Sequence, residues 1–125
     1  MSLVPHLAAG RRAEDQALEL LRDAGLKLLA RNYRCPQGEL DLVMGENETL
    51  VIVEVRYRRD RGFGNAADTV GTRKQDKLLR ATQHFLQQDA HYRRRPLRFD
   101  VIAVTEGADG TPHTDWIKDA FRTDF

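Results

Sequence analysis

Two alternating runs joined by a short polar stretch constrain this chain more than anything else in it. They are Gly38-Glu39-Leu40-Asp41-Leu42-Val43 and Val51-Ile52-Val53-Glu54-Val55-Arg56. Successive strand side chains point to opposite faces, so Glu39 and Asp41 share one face, and Glu54 and Arg56 share one face of the next strand. The other faces are apolar, with Leu40 and Leu42, then Val51, Val53 and Val55. Between the runs, Gly45-Glu46-Asn47-Glu48-Thr49 is a polar stretch of hairpin-loop length. With Glu46 to Thr49 as the loop, Gly45 faces Leu50, Asp41 faces Glu54 and Glu39 faces Arg56. Like charges directly opposed at about 5 Å destabilise a sheet. A positive group is therefore expected between Asp41 and Glu54, and a divalent cation suits that place best.

A single compact domain over residues 1–125 is expected from the length. Charged residues make up 31% and hydrophobic residues 41%, the balance of a soluble globular protein. No apolar run approaches the roughly 20 residues of a membrane span, and Met1 to Arg12 lacks the long apolar core of a secretory signal. One cysteine, Cys35, excludes an internal disulfide and a multi-cysteine zinc site, so a reducing cytoplasm is expected. The four histidines show no ligand-like spacing. A net charge of +1 decides nothing about nucleic acid, but its distribution is uneven. Arginines cluster at Arg56, Arg58, Arg59 and Arg61, and again at Arg93, Arg94, Arg95 and Arg98. Such clusters bind phosphates in a nearly neutral protein, although charge runs are also the composition of solvated loops.

Helical spacing of Ala13, Ala17, Leu20, Leu21 and Ala24 predicts a first helix over 9–24, stopped by Gly25. Glu14 falls at the border of its apolar face, where it can point toward a neighbouring sheet or remain a surface acid. A strand over 26–34 and a Cys35-Pro36-Gln37-Gly38 turn lead into the two runs above. Residues 58–68, with Gly62, Phe63 and Gly64 among arginines, read as a mobile loop. A second helix is expected over 72–88, with Thr72 and Gln75 as a capping box. Leu78, Thr82, Phe85 and Leu86 form its apolar face, and Arg73, Lys77, Arg80 and His84 the opposite one, with Lys74 between. A strand over 97–104 follows, and 114–121 reads as a final short strand or helical turn around Trp116. This order predicts an α/β domain whose mixed sheet contains a three-strand meander flanked by helices.

Hard divalent cations prefer oxygen ligands, and Mg²⁺ keeps several waters while held by one or two carboxylates. Asp41 and Glu54 supply two, with the Val55 carbonyl a candidate third oxygen; Mn²⁺ fits the same ligands. An ion there would polarise a phosphodiester and activate water. Arg56 points at the same place and can hold the phosphate and offset transition-state charge, but it stays protonated and is no general base. The metal, Glu39 or the phosphate itself would activate the water. The plainer alternative is a set of surface ion pairs worth about 0 to 1 kcal/mol each.

Gly10-Arg11-Arg12-Ala13-Glu14, Arg31-Asn32-Tyr33-Arg34, Gly38-Glu39-Leu40-Asp41-Leu42-Val43 and Val53-Glu54-Val55-Arg56 together resemble the YraN-like family of bacterial predicted endonucleases. Phe63-Gly64, the helix around Lys74 and Lys77, and Arg98-Phe99-Asp100-Val101-Ile102 continue the match, which runs from about Gly10 to Val104. That family looks like a minimal member of the PD-(D/E)xK nuclease superfamily, similar in layout to archaeal Holliday-junction resolvases. The resemblance implies a restriction-endonuclease-like core with Glu14 as the helical acid, Asp41 as central metal ligand and Glu54 as second ligand. Leu40 stands in place of the superfamily's proline. Arg56 stands where a lysine is usual, which keeps the charge but alters reach and geometry; Lys74 from the second helix is a candidate replacement.

The expectation is a Mg²⁺-dependent endonuclease acting on DNA, with branched DNA as a candidate substrate and Glu14, Glu39, Asp41, Glu54 and Arg56 in the catalytic site. Arg58, Arg59, Arg61, Arg73, Lys74 and Lys77 would bind flanking phosphates, and resolvase-like symmetry points to a homodimer. Two rivals remain: a non-catalytic nucleic-acid-binding module on the same fold, and an interaction protein whose acidic hairpin docks a basic partner.

Overall fold

The structure is a computed structural model that describes residues 5–58, 70–107 and 109–122. Helix α1 (Pro5–Asp23) precedes strands β1 (Lys27–Cys35), β2 (Gly38–Glu46) and β3 (Thr49–Arg58). Helix α2 (Thr72–Gln88) then leads to β4 (Leu97–Glu106) and β5 (Pro112–Phe121). One five-stranded sheet has the spatial order β1-β2-β3-β4-β5. All neighbours are antiparallel except β3 and β4, which are parallel and joined through α2. The expected mixed sheet with a three-strand meander and flanking helices is what the chain forms. Such a sheet is compatible with a restriction-endonuclease-like core.

Each helix covers one face, because each strand carries apolar residues of both parities. Leu42, Met44, Val51, Val53, Ile102 and Val104 pack under Ala13, Ala17 and Leu21 of α1. Leu40, Val43, Leu50, Ile52, Phe99 and Val101 pack under Leu78, Ala81 and Phe85 of α2. On α1, Leu18 is buried where Leu20 and Ala24 were expected, Leu20 being half-buried and Ala24 exposed. The helix ends as Gly25 predicts. Gly25 at φ 98° lets its N–H reach Arg22 O, while Leu26 N–H reaches Leu21 O. This paired closure satisfies carbonyls the helix leaves open.

Helix α2 has the predicted span but not the predicted cap. Its N-cap is Gly71, with no side-chain capping bond. Gln75 instead reaches back to donate to the Val70 carbonyl at 2.9 Å. The 114–121 segment resolves as strand β5, forming an edge of the sheet. The meander's second turn is tighter than expected: Glu46 pairs with Thr49, leaving only Asn47 and Glu48 as loop. Asn47 takes the left-handed φ of 54° that so short a turn requires, a conformation asparagine tolerates well.

One local break in the pleat matters for the site. Leu40 and Leu42 were expected to share a face, but they pack in opposite cores. Asp41 lies between them, and the register of β1 with β2 brings Asn32 opposite it, at φ 53°. A left-handed residue interrupts strand alternation, so this strand pair changes face here. Arg31 accordingly turns toward α1 and Tyr33 toward α2.

Candidate functional site

The β2–β3 register runs as predicted, Gly45 facing Leu50 and Leu42 facing Val53, and the ladder ends there. Beyond it the Val55 N–H donates not to a β2 carbonyl but to Asp41 Oδ2, at 2.9 Å. The side chain of Asp41 thus occupies the gap between two parting strands. A strand residue's N–H and C=O point to the same side, so the Val55 carbonyl also faces that gap. Glu54 lies on the α2 side of β3, at the parity of Leu50 and Ile52.

Glu54 is a buried acid, its side chain 5% exposed. Lys74 Nζ, from the first turn of α2, sits 3.2 Å from its Oε1. Arg56 Nη1 approaches the same oxygen at 3.7 Å. The other oxygen, Oε2, is buried and meets no donor among the described residues. Burial pushes the Glu54 carboxyl up from its ordinary value, opposed first by Lys74 and then by Arg56. Asp41 is pushed up to about 7, by burial first and then by the charge of Glu54. The two carboxyls lie within hydrogen-bonding reach of one another. Two ionised carboxylates offer only acceptors, so a shared proton or a cation is needed to bridge them.

Asp100 shows what a satisfied buried carboxylate looks like in this protein. Its side chain is 0% exposed. Arg98 donates to both oxygens at 2.9 Å, Trp116 Nε1 to Oδ2 at 2.9 Å and the Asp119 N–H to Oδ1 at 3.0 Å. Arg98 also bonds Glu46 at 2.7 Å, tying β4 to the hairpin tip. Buried polar groups are normally paired this fully, and an orphan calls for an explanation. The Glu54 oxygen is that orphan, beside a second acid and a backbone carbonyl. These oxygens fit a hard divalent cation. Among the described residues no three His, Cys, Asp or Glu side chains form a ready metal group, so water and substrate would have to complete the coordination shell.

Glu14 on α1 accepts from Arg31 Nε at 3.3 Å, and Arg31 also bonds Asp15 at 2.7 Å. The charges of Glu14 and Glu39 both contribute, more weakly than burial and Glu54, to raising Asp41. Glu39 is not opposite Arg56 as expected. Its register partner is Arg34 on β1, 3.6 Å away, because β2 has left β3 by this point. Asp41, Glu54, Arg56 and Lys74 thus form one cluster, while Glu14 and Glu39 act on Asp41 through their charge and take Arg31 and Arg34 as direct partners. Arg31, given no role at the site by the sequence although it opens the Arg31-Asn32-Tyr33-Arg34 motif, fixes Glu14 from 17 residues away, a separation that no local pattern signals.

Arg73 and Lys77 are exposed on α2, and Arg58 ends β3. Arg59, Arg61 and the Phe63-Gly64 motif lie outside the described residues. The second arginine cluster serves mostly in structure. Arg93 donates to the Leu86 and Gln87 carbonyls at the end of α2, Arg95 lies over the Tyr92 ring, and Arg98 holds Asp100. His84, expected on the polar face, bonds the Tyr33 hydroxyl. No helix among the described residues is long and apolar enough to cross a membrane.

The model of the uncharacterised protein family UPF0102 matches residues 13–104. A UPF0102 protein of Pseudomonas putida is 51% identical over 114 residues, covering 91% of this chain and 93% of the relative. Others from Pseudomonas fluorescens and Stutzerimonas stutzeri are each 47% identical over 116 residues, covering 93% of this chain and 94% and 96% of the relatives. The chain belongs to the UPF0102 family.

Proposed function

We propose that this UPF0102 protein is a Mg²⁺-dependent endonuclease of the PD-(D/E)xK type that hydrolyses phosphodiesters in DNA. The orphaned, buried Glu54 Oε2 beside the Asp41 carboxyl carries this reading. Keeping a charge out of water costs several kcal/mol, and a fold that needed only an ion pair would have paired that oxygen as it pairs those of Asp100. Asp41, Glu54 and the Val55 carbonyl would hold Mg²⁺ or Mn²⁺. When bound, the ion would supply Lewis acidity to a phosphodiester.

The protein's own groups do the rest. Arg56 is about one-third exposed and Lys74 two-fifths, so both can reach a phosphate from the wall of the site. Their charges, fixed beside Glu54, offset charge that grows on phosphate oxygens in the transition state. Lys74 lies closer to Glu54 than Arg56 does and supplies the ammonium group that Arg56 lacks. Arg31 fixes Glu14, and Arg34 pairs with Glu39. Arg58, Arg59, Arg61, Arg73 and Lys77 would bind flanking phosphates. A cytoplasmic homodimer acting on branched DNA accompanies this reading, on the strength of the resolvase resemblance and the lone Cys35.

A second reading has one observation in its favour: Lys74 and Arg56 both pair with Glu54 Oε1, as partners of a structural ion pair would. The site would then be a structural relic in a nucleic-acid-binding module. One experiment separates the two: linear, flapped and four-way DNA incubated with Mn²⁺ and either the parent protein, Asp41→Ala or Glu54→Ala. Cleavage by the parent alone supports the endonuclease, binding without cleavage supports the module, and cleavage surviving both substitutions overturns the site assignment.

A further inference from the structure

Beside the carboxylate pair, α2 presents a stripe that ion pairing leaves unused. Arg73, Lys77, Arg80 and His84 recur at the spacing of one helix face. The first three are exposed. Among the described residues none of those three enters an ion pair, although Asp76 lines the same groove. The turn before β2 forms the facing wall. A Cβ added at Gly38 would sit 3.5 Å from the Lys77 carbonyl, so this turn lies close to α2, and Gln37 lines the groove between them. Two adjoining depressions of about 400 and 300 Å³ share Gln37 and Arg80 as lining, so they form one groove. Its lining begins at Arg73, next to Lys74 in sequence, and at Gln37, four residues before Asp41, and it ends at Gln83, His84 and Gln87.

We propose that this groove is a track for one DNA strand leaving the carboxylate pair. The proposal rests on the endonuclease reading and names a substrate contact beyond it. Charge selects the occupant. Three cations face one acid in a protein of net charge +1, and few apolar side chains line the groove to hold a hydrophobic ligand. From Arg73 to His84 the helix rises about 16 Å at ~1.5 Å per residue. The Tyr33 hydroxyl and His84 Nδ1 share a hydrogen bond, so Nε2 is the ring nitrogen left for a further polar contact. Gln37 and Gln83 both donate and accept, so they suit sugar and base edges as well as phosphate.

The test is performed on Asp41→Asn, which leaves DNA intact, with a fluorescently labelled flapped duplex over a range of salt. Adding Lys77→Ala and Arg80→Ala should weaken binding about tenfold and flatten the plot of log affinity against log salt by about 2. A control with equal charge loss elsewhere, Arg12→Ala with Arg94→Ala, should change the slope by much less. Unchanged affinity and slope in the groove variant, with DNA still bound, overturns the track but leaves the endonuclease reading standing. No DNA binding by Asp41→Asn overturns both. Equal loss of a poly-glutamate probe at similar affinity assigns the groove to an acidic polypeptide and overturns the nucleic-acid occupant. Circular dichroism melting of each variant separates these results from unfolding.

Discussion

Lys74 Nζ lies 3.2 Å from Glu54 Oε1, nearer than Arg56 at 3.7 Å, although Arg56 is two residues from Glu54 and Lys74 is twenty. The neighbour along the strand is thus the weaker partner of this buried acid. A lysine carried in by α2 gives it the compact ammonium group that its own strand does not offer.

Lys74→Ala should therefore lower single-turnover DNA cleavage by about 100-fold or more, the scale seen when one preorganised transition-state donor is removed. Arg56→Lys should cost much less, since Arg56 reaches Glu54 only at longer range. Parent-like cleavage by Lys74→Ala would remove the lysine from the mechanism.

Stability in the absence of metal should depend on pH in an unusual sense. Folded Asp41 holds its proton up to about 7, whereas an unfolded aspartate releases it near pH 3.9. Between about pH 4 and 7 the folded state binds more protons, so this group's contribution declines as pH rises and is fully lost above 7. Glu54, raised in the same direction, adds to the trend. Asp41→Asn keeps an acceptor for the Val55 N–H and removes the charge. It should be more stable than the parent by about 1 to 2 kcal/mol at pH 8, with the gap closing near pH 4. Urea denaturation at the two pH values measures this, and an Asn variant weaker than the parent at pH 8 contradicts it.

Divalent metal should reverse that penalty. At a hundred times its dissociation constant, Mn²⁺ stabilises the native state by about 2.7 kcal/mol, read as an upward shift in thermal melting. The shift should vanish in Asp41→Ala and Glu54→Ala. It should also shrink at pH 6, where a proton competes for the Asp41 carboxyl. An equal shift in all three proteins would mean that the metal binds elsewhere.

Asp100 should respond as structure and not as chemistry. Arg98→Ala strands a fully buried carboxylate and should cost about 3 to 5 kcal/mol in urea denaturation. Manganese affinity, measured by calorimetry under conditions where the variant stays folded, should match that of the parent. A loss of affinity there would tie the Asp100 network to the site.

Local chemistry made much of this architecture readable. Gly25 had to end α1, the polar stretch after Gly45 had to turn the chain, and the apolar alternation of β3 set which face Glu54 would share with Arg56. The span of α2 followed from its periodicity, yet its capping box did not form. Gln75 found the Val70 carbonyl instead, and Gly71 needed no side chain to begin the helix. The same limit applies to Arg93, Arg95 and Arg98. As sequence they are a basic run, but their partners are the end of α2, the Tyr92 ring and Asp100.

The site divides along the same line. Side-chain alternation and hairpin register are short-range properties, so the linear chain determined that Asp41 and Glu54 would be carried toward each other on neighbouring strands. Tertiary structure decided that the strands part at Leu42 and Val53, that Asp41 fills the gap, that Glu39 turns to Arg34 and that Lys74 and Arg31 arrive from distant segments. Those outcomes follow from how two helices pack on opposite faces of a twisted sheet, and from a face reversal at Asn32 and Asp41. No local periodicity encodes either one, because the energies that select them come from burial summed over residues far apart in the chain.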